Sequence, residues 1–362
     1  MTLRVLTVNP GSTSTKVSLF EEEESVLSLE VRHDKETLAK YEHVLDQLPL
    51  RRDTVRTALH KAAHGGRVPR LSAVVGRGGL LRPMSGGIYS VNDAMIADLR
   101  SARFGEHASN LGALLAREYS LRDNVPALVV DPVVTDEMRS VARVTGLPWV
   151  QRRSVFHALS QRGAARAVAR EMGLEYERSR FIVAHMGGGI SIGAHDRGRV
   201  VDVINALDGE GPFSPERVGS LPLITALGLV LQQKHSVREL QELALTKGGL
   251  WAHMGTNDLR EVLEACDTGD EKAALVFDAL SYNIAKHVSS LAPALLAGPD
   301  SRLDGVVLTG GLSRSSRLVA SLRDRLEFLA PVSALETDEM RVMAEGAWRV
   351  LRDGVKPVQY TS

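Results

Sequence analysis

A glycine- and hydroxyl-rich turn, Asn9 to Lys16, lies between two short apolar runs near the start of the chain. The runs, Leu3 to Val8 and Val17 to Phe20, have the β-branched and apolar content of buried strands, so the segment predicts a β-hairpin. Its tip offers backbone N–H groups, hydroxyls and one ammonium to a single anion, which makes it a candidate phosphate cradle. The sequence holds no Walker motif, and a strand rather than a helix follows the lysine. An ordinary Gly/Ser hairpin is the alternative interpretation.

A second strand, glycine turn and returning strand occur about one domain length later. Phe181 to Ala184 and Ile190 to Ala194 are apolar strands, and His185 to Gly189 is the turn between them. Two such units indicate two related halves that face a shared cleft. A glycine pair, Gly310-Gly311, lies between the buried strand Gly305 to Leu308 and a helix, which suits close approach of a nucleotide.

Isolated charges follow two of the predicted strands. Arg77 lies among glycines after the strand Leu71 to Val75, and Asp131 follows the strand Ala127 to Val130. Ligands of open α/β sheets gather outside the carboxyl ends of strands, so both side chains are placed to reach a ligand. The competing interpretations are a surface turn that holds an arginine and, for Asp131, a turn former before proline.

Two further charges lie in a loop and at a helix start. Arg217 belongs to the segment 209–219, which is too rich in glycine and proline for a helix or strand. Glu339 lies in the first turn of a predicted helix, residues 338–351, capped by Thr337. Cations for a transferring phosphoryl group and carboxylates for Mg²⁺ are the parts that phosphoryl transfer requires.

Composition excludes several other classes of protein. The 362 residues suffice for two domains, and Lys plus Arg equals Asp plus Glu at 44 each. No net charge therefore attracts the chain to nucleic acid or to a membrane surface. No apolar run reaches the roughly 18 residues of a membrane span, and the N-terminus lacks the apolar region of a signal peptide. Cys266 is the only cysteine, so no internal disulfide or cysteine zinc site is expected. We expect a cytoplasmic protein without nucleic-acid or membrane partners.

A pair of histidines, His60 and His64, has the i, i+4 spacing of metal ligands on a predicted helix, Asp53 to His64. No Glu follows His60 and no third ligand is indicated, so the pair does not predict a metal site.

Ten stretches of the sequence, which cover nearly the whole chain, resemble the acetokinase family. Within that family the chain looks most like the butyrate kinases and related short-chain and branched-chain fatty acid kinases. The stretches are NPGSTSTK at 9–16, VVGRGGLLRPMSGGIY at 74–89, FGEHASNLGA at 104–113, VDPVVTDEM at 130–138, RRSVFHALSQ at 152–161, VAHMGGGISIGAH at 183–195, NALDGEGPFSPERVGSLP at 205–222, GTND at 255–258, LTGGLS at 308–313 and DEMRVMAEGA at 338–347.

The resemblance implies the fold of the acetate and sugar kinase, Hsp70 and actin superfamily. That is an α/β fold of two related actin-like (ribonuclease H-like) domains, each a mixed sheet flanked by helices, with an active-site cleft between them. We expect residues 1–157 and a returning helical segment, 338–362, to form the substrate and phosphate domain. Residues 158–337 are expected to form the nucleotide-binding domain.

The resemblance also implies roles for individual residues. It implies catalytic roles for Asn9, Arg77, Asp131, Arg217 and Glu339. Of these, Asn9 and Glu339 would also bind the metal. It implies nucleotide or phosphate contacts for Ser12, Ser14, Lys16, His185, Gly187, Gly188, Gly189, Asp258, Arg260, Gly310 and Gly311. One motif departs from the acetate kinase pattern Phe-His-Gly-Thr-Ser-His, because Gln161 stands where its second histidine would be. His157 is retained, and a packed structural role is as compatible with it as a catalytic one.

The implied reaction is transfer of the γ-phosphate of ATP to the carboxylate of butyrate or a related short- or branched-chain fatty acid. It gives an acyl phosphate and ADP reversibly, with Mg²⁺ as the metal, and the implied assembly is a homo-oligomer, a dimer or higher. A fatty acid is already ionised at neutral pH, so no strong general base is needed. Two alternatives stay open: an acetate or propionate kinase of the same family, and a non-catalytic nucleotide-binding protein like actin or Hsp70.

Overall fold

The computed structural model of the chain describes residues 2–63, 66, 68–232, 236–298 and 301–361. The chain divides into two compact units, the first made of Met1–Thr135 with Asp338–Ser362 and the second of Asp136–Thr337. The first unit therefore ends earlier than our expected boundary at residue 157, and the segment 338–362 returns to it. The segment after Thr135 lies in the second unit because Arg139 bonds the backbone of Val201 there.

The first unit is built on a seven-stranded sheet of order β12-β5-β6-β4-β1-β2-β3. Its elements are β1 (Arg4–Pro10), β2 (Ser14–Glu21), β3 (Glu24–Arg32), α1 (Lys35–Leu38), α2 (Leu48–Ala62), β4 (Ala73–Gly76), β5 (Ile88–Ser90), α3 (Asp93–Arg100), α4 (Asn110–Asp123), β6 (Ala127–Val130), α14 (Glu339–Leu351) and β12 (Val358–Gln359). The elements are numbered along the whole chain, and the numbers absent from this series belong to elements of the second unit. Strands β1, β2 and β3 form an antiparallel meander, whereas β4 and β6 run parallel to β1.

Helices cover both faces of this first sheet, because its central strands are apolar on both sides. Leu6 and Val8 of β1 face a core that α2, α3 and α4 complete. On the opposite face α14 packs against the sheet, where its Trp348 meets the ring of Phe20 edge-on at 5.8 Å between centroids. The predicted hairpin around Asn9 to Lys16 is confirmed, with Asn9 opposite Lys16 in the register.

The second unit is built on a five-stranded sheet of order β11-β10-β7-β8-β9. Its elements are α5 (Ser140–Arg143), α6 (Ala158–Glu171), β7 (Arg180–Met186), β8 (Ile190–Asp196), β9 (Arg199–Ile204), α7 (Leu223–Leu231), α8 (Val237–Thr246), α9 (Gly249–Met254), α10 (Leu259–Asp267), α11 (Glu271–Ser290), α12 (Ala292–Leu295), β10 (Gly305–Thr309), α13 (Ser316–Leu326) and β11 (Val332–Ala334). Single turns of 3₁₀ helix lie at Val44–Gln47, Tyr176–Arg178, Ala206–Asp208 and Gly311–Arg314.

The two sheets repeat one topology. In the second unit β7, β8 and β9 form an antiparallel meander, and β10 and β11 continue the sheet in parallel beyond β7. The first unit has the same order in β3-β2-β1-β4-β6. The expectation of two related halves is thereby confirmed. Alternate residues of β7 again face two cores, Ile182 toward the helices α10, α11 and α13 and Val183 toward α6.

Two details at helix ends differ from or fall outside our expectations. The capping residue of α14 is Asp338, whose carboxylate accepts the Met340 N–H, so the predicted Thr337 cap is wrong. Thr337 instead bonds the hydroxyl of Thr309 at the end of β10, at 2.7 Å between oxygens. Helix α2 ends at Ala62, and His64, the second histidine of the pair considered above, lies outside the described residues.

None of the helices in the described ranges is both long and apolar enough to cross a membrane.

Candidate active site

The hairpin turn between β1 and β2 is closed by its own backbone. The Gly11 N–H donates to the Ser14 carbonyl at 2.8 Å. Strand alternation after the turn places Ser14 and Lys16 on one face of β2 and Thr15 on the other, where Thr15 is fully buried. Ser12 and Lys16 are exposed, and the Lys16 ammonium lies 3.9 Å from the Glu30 carboxylate of β3. The turn thus presents hydroxyls and an ammonium outward, as an anion cradle requires.

Three of the expected catalytic residues meet beside this turn. The Arg77 guanidinium lies 2.9 Å from Oε2 of Glu339, and Nδ2 of Asn9 donates to the same oxygen at 3.3 Å. The three side chains come from the end of β1, the segment after β4 and the first turn of α14. Arg77 is 14% exposed and Glu339 30%, so the cluster is sheltered but open to a ligand.

Close backbone packing holds Arg77 in place. A Cβ added to Gly76 would lie 2.1 Å from the Gly112 carbonyl oxygen, and one added to Gly112 would lie 2.4 Å from the Arg77 carbonyl oxygen. Only glycine fits at these two positions, where the start of α4 crosses the end of β4. The Arg77 N–H also donates to the Val8 carbonyl at 2.9 Å. The glycine before Arg77 therefore serves packing.

Asp131 follows β6 at the same sheet edge as Arg77, because Gly76 and Val129 are paired in the register. Its side chain is buried, and its Oδ1 accepts the Gly87 N–H at 2.8 Å. Its backbone has a φ of 39°, in the left-handed region that a non-glycine residue occupies rarely. Asp131 is therefore both a former of this turn and a carboxylate at the strand end. Such a strained backbone is concentrated at functional sites in proteins.

In the second unit Arg217 lies against the triple-glycine turn. A Cβ on Gly189 would be 2.3 Å from Nη1 of Arg217, so glycine is required where the guanidinium rests. The loop is fastened to the turn by Ser214, whose hydroxyl donates to the Gly188 carbonyl at 2.5 Å and accepts the Arg217 N–H at 3.1 Å. Burial lowers the pKa of the Arg217 guanidinium from its ordinary value. The sequence indicated the loop and the turn but not their contact.

A cavity of about 700 Å³ lies beside the same turn in the second unit. Its lining includes five residues expected to contact the nucleotide, namely Gly187, Gly188, Asp258, Arg260 and Gly311. Ligand pockets for molecules of nucleotide size have volumes of this order. The lining also includes Glu216, Asn257, Arg314 and Arg317, to which the sequence analysis gave no nucleotide role. Their approach depends on the packing of α10 and α13, which no local motif records.

Asp258 and Arg260 are joined to each other. The Asp258 carboxylate accepts the Arg260 backbone N–H at 2.9 Å and pairs with its guanidinium at 2.5 Å, which caps α10. Hydrogen bonds from Arg260 lower the pKa of the Asp258 carboxyl. The pair therefore has a structural role at the helix start as well as a position on the cavity wall.

His185 and His157 are stacked, with 3.9 Å between ring centroids and 13° between ring planes. His185 bonds the Ser160 hydroxyl through Nδ1 at 2.8 Å, and His157 bonds the Ser191 hydroxyl at the same distance. Gln161, fully buried, donates to the Ser191 backbone and hydroxyl oxygens, both at 3.0 Å. Gln161 thus holds the serine whose hydroxyl bonds His157.

The ligands available in the first unit are compatible with a divalent cation that binds only one or two protein groups. In the part of the chain that the structure describes, no three His, Cys, Asp or Glu side chains form a metal-binding group. Glu339 and Asn9 supply one carboxylate and one amide within 3.3 Å of each other. Mg²⁺ usually takes one or two carboxylates from the protein and its remaining ligands from water and substrate phosphates. The residues present are compatible with that mode of binding.

Comparison with known proteins defines the class. A model of the acetokinase family matches residues 142–350, more than half of the chain. The chain therefore belongs to the acetokinase family, a family of carboxylate kinases. The expected fold class and enzyme class are confirmed at this level.

Two curated relatives extend the match to the full length. The chain is 51% identical over 362 residues, 99% of each chain, to a protein of Maridesulfovibrio salexigens described as "Probable butyrate kinase". It is also 51% identical over 366 residues, 98% of each chain, to a protein of Oleidesulfovibrio alaskensis with the same description. Among solved structures, the acetate kinase of Porphyromonas gingivalis matches with a TM-score of 0.77 at 21% identity, covering 97% of this chain and 100% of that one. At that identity the structural match supports the fold alone.

Proposed function

We propose that this chain transfers the γ-phosphate of ATP to the carboxylate of butyrate or a related short- or branched-chain fatty acid. The observation that carries the proposal is the convergence of Arg77, Asn9 and Glu339 beside the hydroxyl-rich turn. A cation and a carboxylate are held there together with outward-facing hydroxyls, as a phosphoryl group and a carboxylate substrate require. The curated relatives' names support the choice of acid.

In the proposed reaction a carboxylate oxygen of the fatty acid attacks the γ-phosphorus in line. The new bond joins that oxygen to phosphorus, the bond to the β,γ-bridging oxygen breaks, and ADP leaves with the electron pair. No proton needs to move, because the acid is ionised at neutral pH. The principal barrier is repulsion between two anions, which Arg77 and Arg217 would reduce by neutralising the phosphoryl oxygens.

Three further residues have proposed supporting roles. Asn9 and Glu339 would hold Mg²⁺, which when bound neutralises charge on the phosphates. Asp131 is proposed as the carboxylate near the transferring group, fixed there by its bond to the Gly87 N–H. We place the triphosphate against the glycine turn 187–189 and the adenosine in the cavity lined by Asp258, Arg260 and Gly311.

The proposal is tested by trapping acyl phosphate as hydroxamate in the presence of ATP and Mg²⁺. Acetate, propionate, butyrate, isobutyrate and valerate are compared by kcat/KM. One methylene in an apolar pocket changes specificity by about 10- to 200-fold, so the maximum will be distinct. We expect it at four or five carbons.

Two results would contradict the proposal. A maximum at acetate or propionate would make the chain an acetate or propionate kinase of the same family. Binding of ATP without acyl phosphate from any acid would leave a nucleotide-binding protein related to actin and Hsp70. We further propose that the enzyme acts in the cytoplasm as a homo-oligomer.

A further inference from the structure

Helix α2 carries a fully buried arginine, Arg51, directly behind the hairpin turn of the first unit. Its Nη1 donates to the Ser14 carbonyl at 2.6 Å and to the Thr15 hydroxyl at 2.9 Å. Its Nη2 donates to Oε1 of Gln47 at 2.9 Å. All three acceptors are uncharged, so the guanidinium is hydrogen-bonded but its charge is not neutralised by them.

A buried arginine without a carboxylate is unusual, because removing a charge from water is costly unless an opposite charge accompanies it. Within the described residues Arg51 forms no ion pair, and its buried Nε has no hydrogen-bond partner. Arg162 of the second unit shows the ordinary arrangement. It is almost as buried and lies 3.1 Å from the Glu137 carboxylate. Arg52, the neighbour of Arg51, likewise pairs with Glu118 at 2.6 Å.

His33, which shares a hydrogen-bond partner with Arg51, adds no second positive charge behind the turn. The Thr15 hydroxyl that accepts from Arg51 also lies 2.9 Å from Nε2 of His33. Burial, followed by the charge of Arg51, lowers the pKa of His33 below its ordinary value, so its ring is neutral at neutral pH. The buried side of the turn therefore holds one net positive charge.

Two of the three acceptors of Arg51, on Ser14 and Thr15, belong to the residues that shape the anion cradle. The Ser14 carbonyl that accepts from Arg51 also accepts the Gly11 N–H, which is the bond that closes the turn. Thr15 points to the buried side of β2, whereas its neighbours Ser14 and Lys16 point to the ligand side. Arg51 thus fixes the turn from behind, across the thickness of one strand.

We propose that Arg51 is a positioning residue of the phosphate turn, whose uncompensated charge is balanced by the anion that binds on the opposite side. The inference rests on the proposed function in taking that anion to be a phosphoryl group. Arg51 holds the Ser14 carbonyl and the Thr15 hydroxyl in place, and the bound phosphoryl group is the counter-ion that the chain itself lacks. Because the charge is buried, its field is screened less by salt than that of Lys16.

The sharpest test is Gln47→Glu, which gives Arg51 a carboxylate partner of the same shape. If the charge of Arg51 serves the bound anion, the new partner will neutralise it within the protein. We expect unchanged or higher thermal stability and about tenfold weaker binding of inorganic phosphate and of MgATP, measured by calorimetry. A purely structural Arg51 predicts that binding in Gln47→Glu equals the wild-type value, and that result would overturn the proposal.

Two variants of the arginine itself and one matched control complete the test. Arg51→Gln removes the charge and is expected to weaken phosphate binding about tenfold or more, whereas Arg51→Lys should recover part of the loss. Arg52→Gln, one residue along the same helix, removes an exposed ion pair and should bind phosphate normally. If the Arg51 variants do not fold, Gln47→Glu still decides the question.

The two charge changes are combined in the double variant Gln47→Glu with Arg51→Gln, which is one charge more negative at the turn than either single variant. If charge at this position acts on the bound anion, we expect the double variant to bind phosphate more weakly than either single variant. Binding equal to that of the single variants would show that the losses do not come from the charge and would contradict the inference. A wild-type chain that binds neither phosphate nor MgATP would contradict it as well.

The failure of this inference is distinguishable from the failure of the proposed function. Acyl phosphate production together with normal phosphate binding in Gln47→Glu and Arg51→Gln would sustain the function and reject the role of Arg51. Arg51-dependent phosphate binding without acyl phosphate from any acid would do the reverse.

Discussion

Single side chains of the candidate site are cations and carboxylates whose positions depend on backbone packed directly against them. Arg217 shows this most clearly, because its guanidinium rests against Gly189, where an added Cβ would lie 2.3 Å from Nη1. Arg77 depends on Gly76 and Gly112 through its backbone, because these glycines let the start of α4 pack closely against it. A guanidinium held this way is pre-organised for oxygens of a phosphoryl group, since little side-chain freedom is left to lose on binding.

Arg217→Lys should therefore be a poor substitute although it keeps the charge. An ammonium cannot reproduce the planar fork that donates to two oxygens at once. We expect kcat to fall about 100-fold or more while the melting temperature stays close to that of the wild type. Arg178→Lys, an exposed arginine of the same unit, is the control and should turn over normally. Near-normal kcat in Arg217→Lys would remove Arg217 from the proposed mechanism.

Buried histidines predict how stability responds to acid. Burial lowers the pKa of His33 and of His287, which is less completely buried, so each is neutral in the folded state where the unfolded chain would bind a proton. The unfolded state binds more protons below the ordinary histidine value of about 6.5, and stability therefore falls as pH decreases through that range.

We expect the free energy of unfolding in urea to decrease from about pH 7.5 to about pH 5.5. The variant His287→Gln, which changes a residue of α11 in the second unit, should show a smaller decrease than the wild type. Stability that is constant or rises on acidification over this interval would contradict the assignment.

The two glycines that directly follow β10 differ in why a side chain would be harmful there. Gly310 has a φ of 87°, and a Cβ there would lie 2.6 Å from the Met186 carbonyl oxygen. Its neighbour Gly311 has no atom within 4 Å of an added Cβ, yet it lines the proposed nucleotide cavity. Gly310 is therefore required by the fold, whereas we propose that Gly311 is required by the nucleotide.

Gly310→Ala should be destabilised by about 1–3 kcal/mol or more, from backbone strain and the contact with Met186. Gly311→Ala should melt like the wild type but have a raised KM for MgATP, because the methyl group occupies space meant for the nucleotide. Thermal melts and steady-state kinetics of both variants make the comparison, with Gly146→Ala, an equally open site outside the cavity, as control. A normal KM for MgATP in Gly311→Ala would mean that the nucleotide does not approach there.

Elements with strong local signals were predictable, and elements defined by distant packing were not. The hairpin strands and β6 follow from short apolar runs bounded by turn residues. Helix α7 was missed, because Thr225 is the one polar side chain among its nine residues and no side-chain cap marks its start. The capping residue of α14 is Asp338 and not the predicted Thr337, because Thr337 bonds Thr309 at the end of β10. The burial of Arg51 was not predictable, because a charged residue in a helix is ordinarily exposed and only the tertiary packing buries this one.

At the scale of the whole chain, one sheet topology is used twice, and each copy ends its first strand in a turn suited to an anion. In the first unit that turn is rich in hydroxyls and backed by a buried cation, whereas in the second it is made of three glycines, of which Gly189 lies against Arg217. The same scaffold has thus been given different chemistry by a few residues at equivalent strand ends. The repeated glycine turns made the duplication predictable, but the contacts behind them were not.

Self-association is the remaining expectation at this scale, and helix α7 is the surface that we assign to it. Ile224 and Leu231 are 79% and 80% exposed, and residues 218–233 contain no charged side chain. An exposed apolar surface of this kind usually marks an interface. Because this surface has no charged side chain, it cannot form ion pairs with a charged partner. A second copy of the same helix offers a matching apolar surface, so we expect a two-fold contact between two copies.

Light scattering coupled to size-exclusion chromatography should give a wild-type mass of at least two chains. The double variant Ile224→Glu with Leu231→Glu should shift that mass toward one chain, because two carboxylates per copy would face each other across the contact. Leu275→Glu changes a leucine of α11 that is 69% exposed and should leave the mass unchanged. A monomeric wild type would exclude the interface. An oligomer that persists in the double variant would place it elsewhere, and α7 would then need another partner to cover its apolar surface.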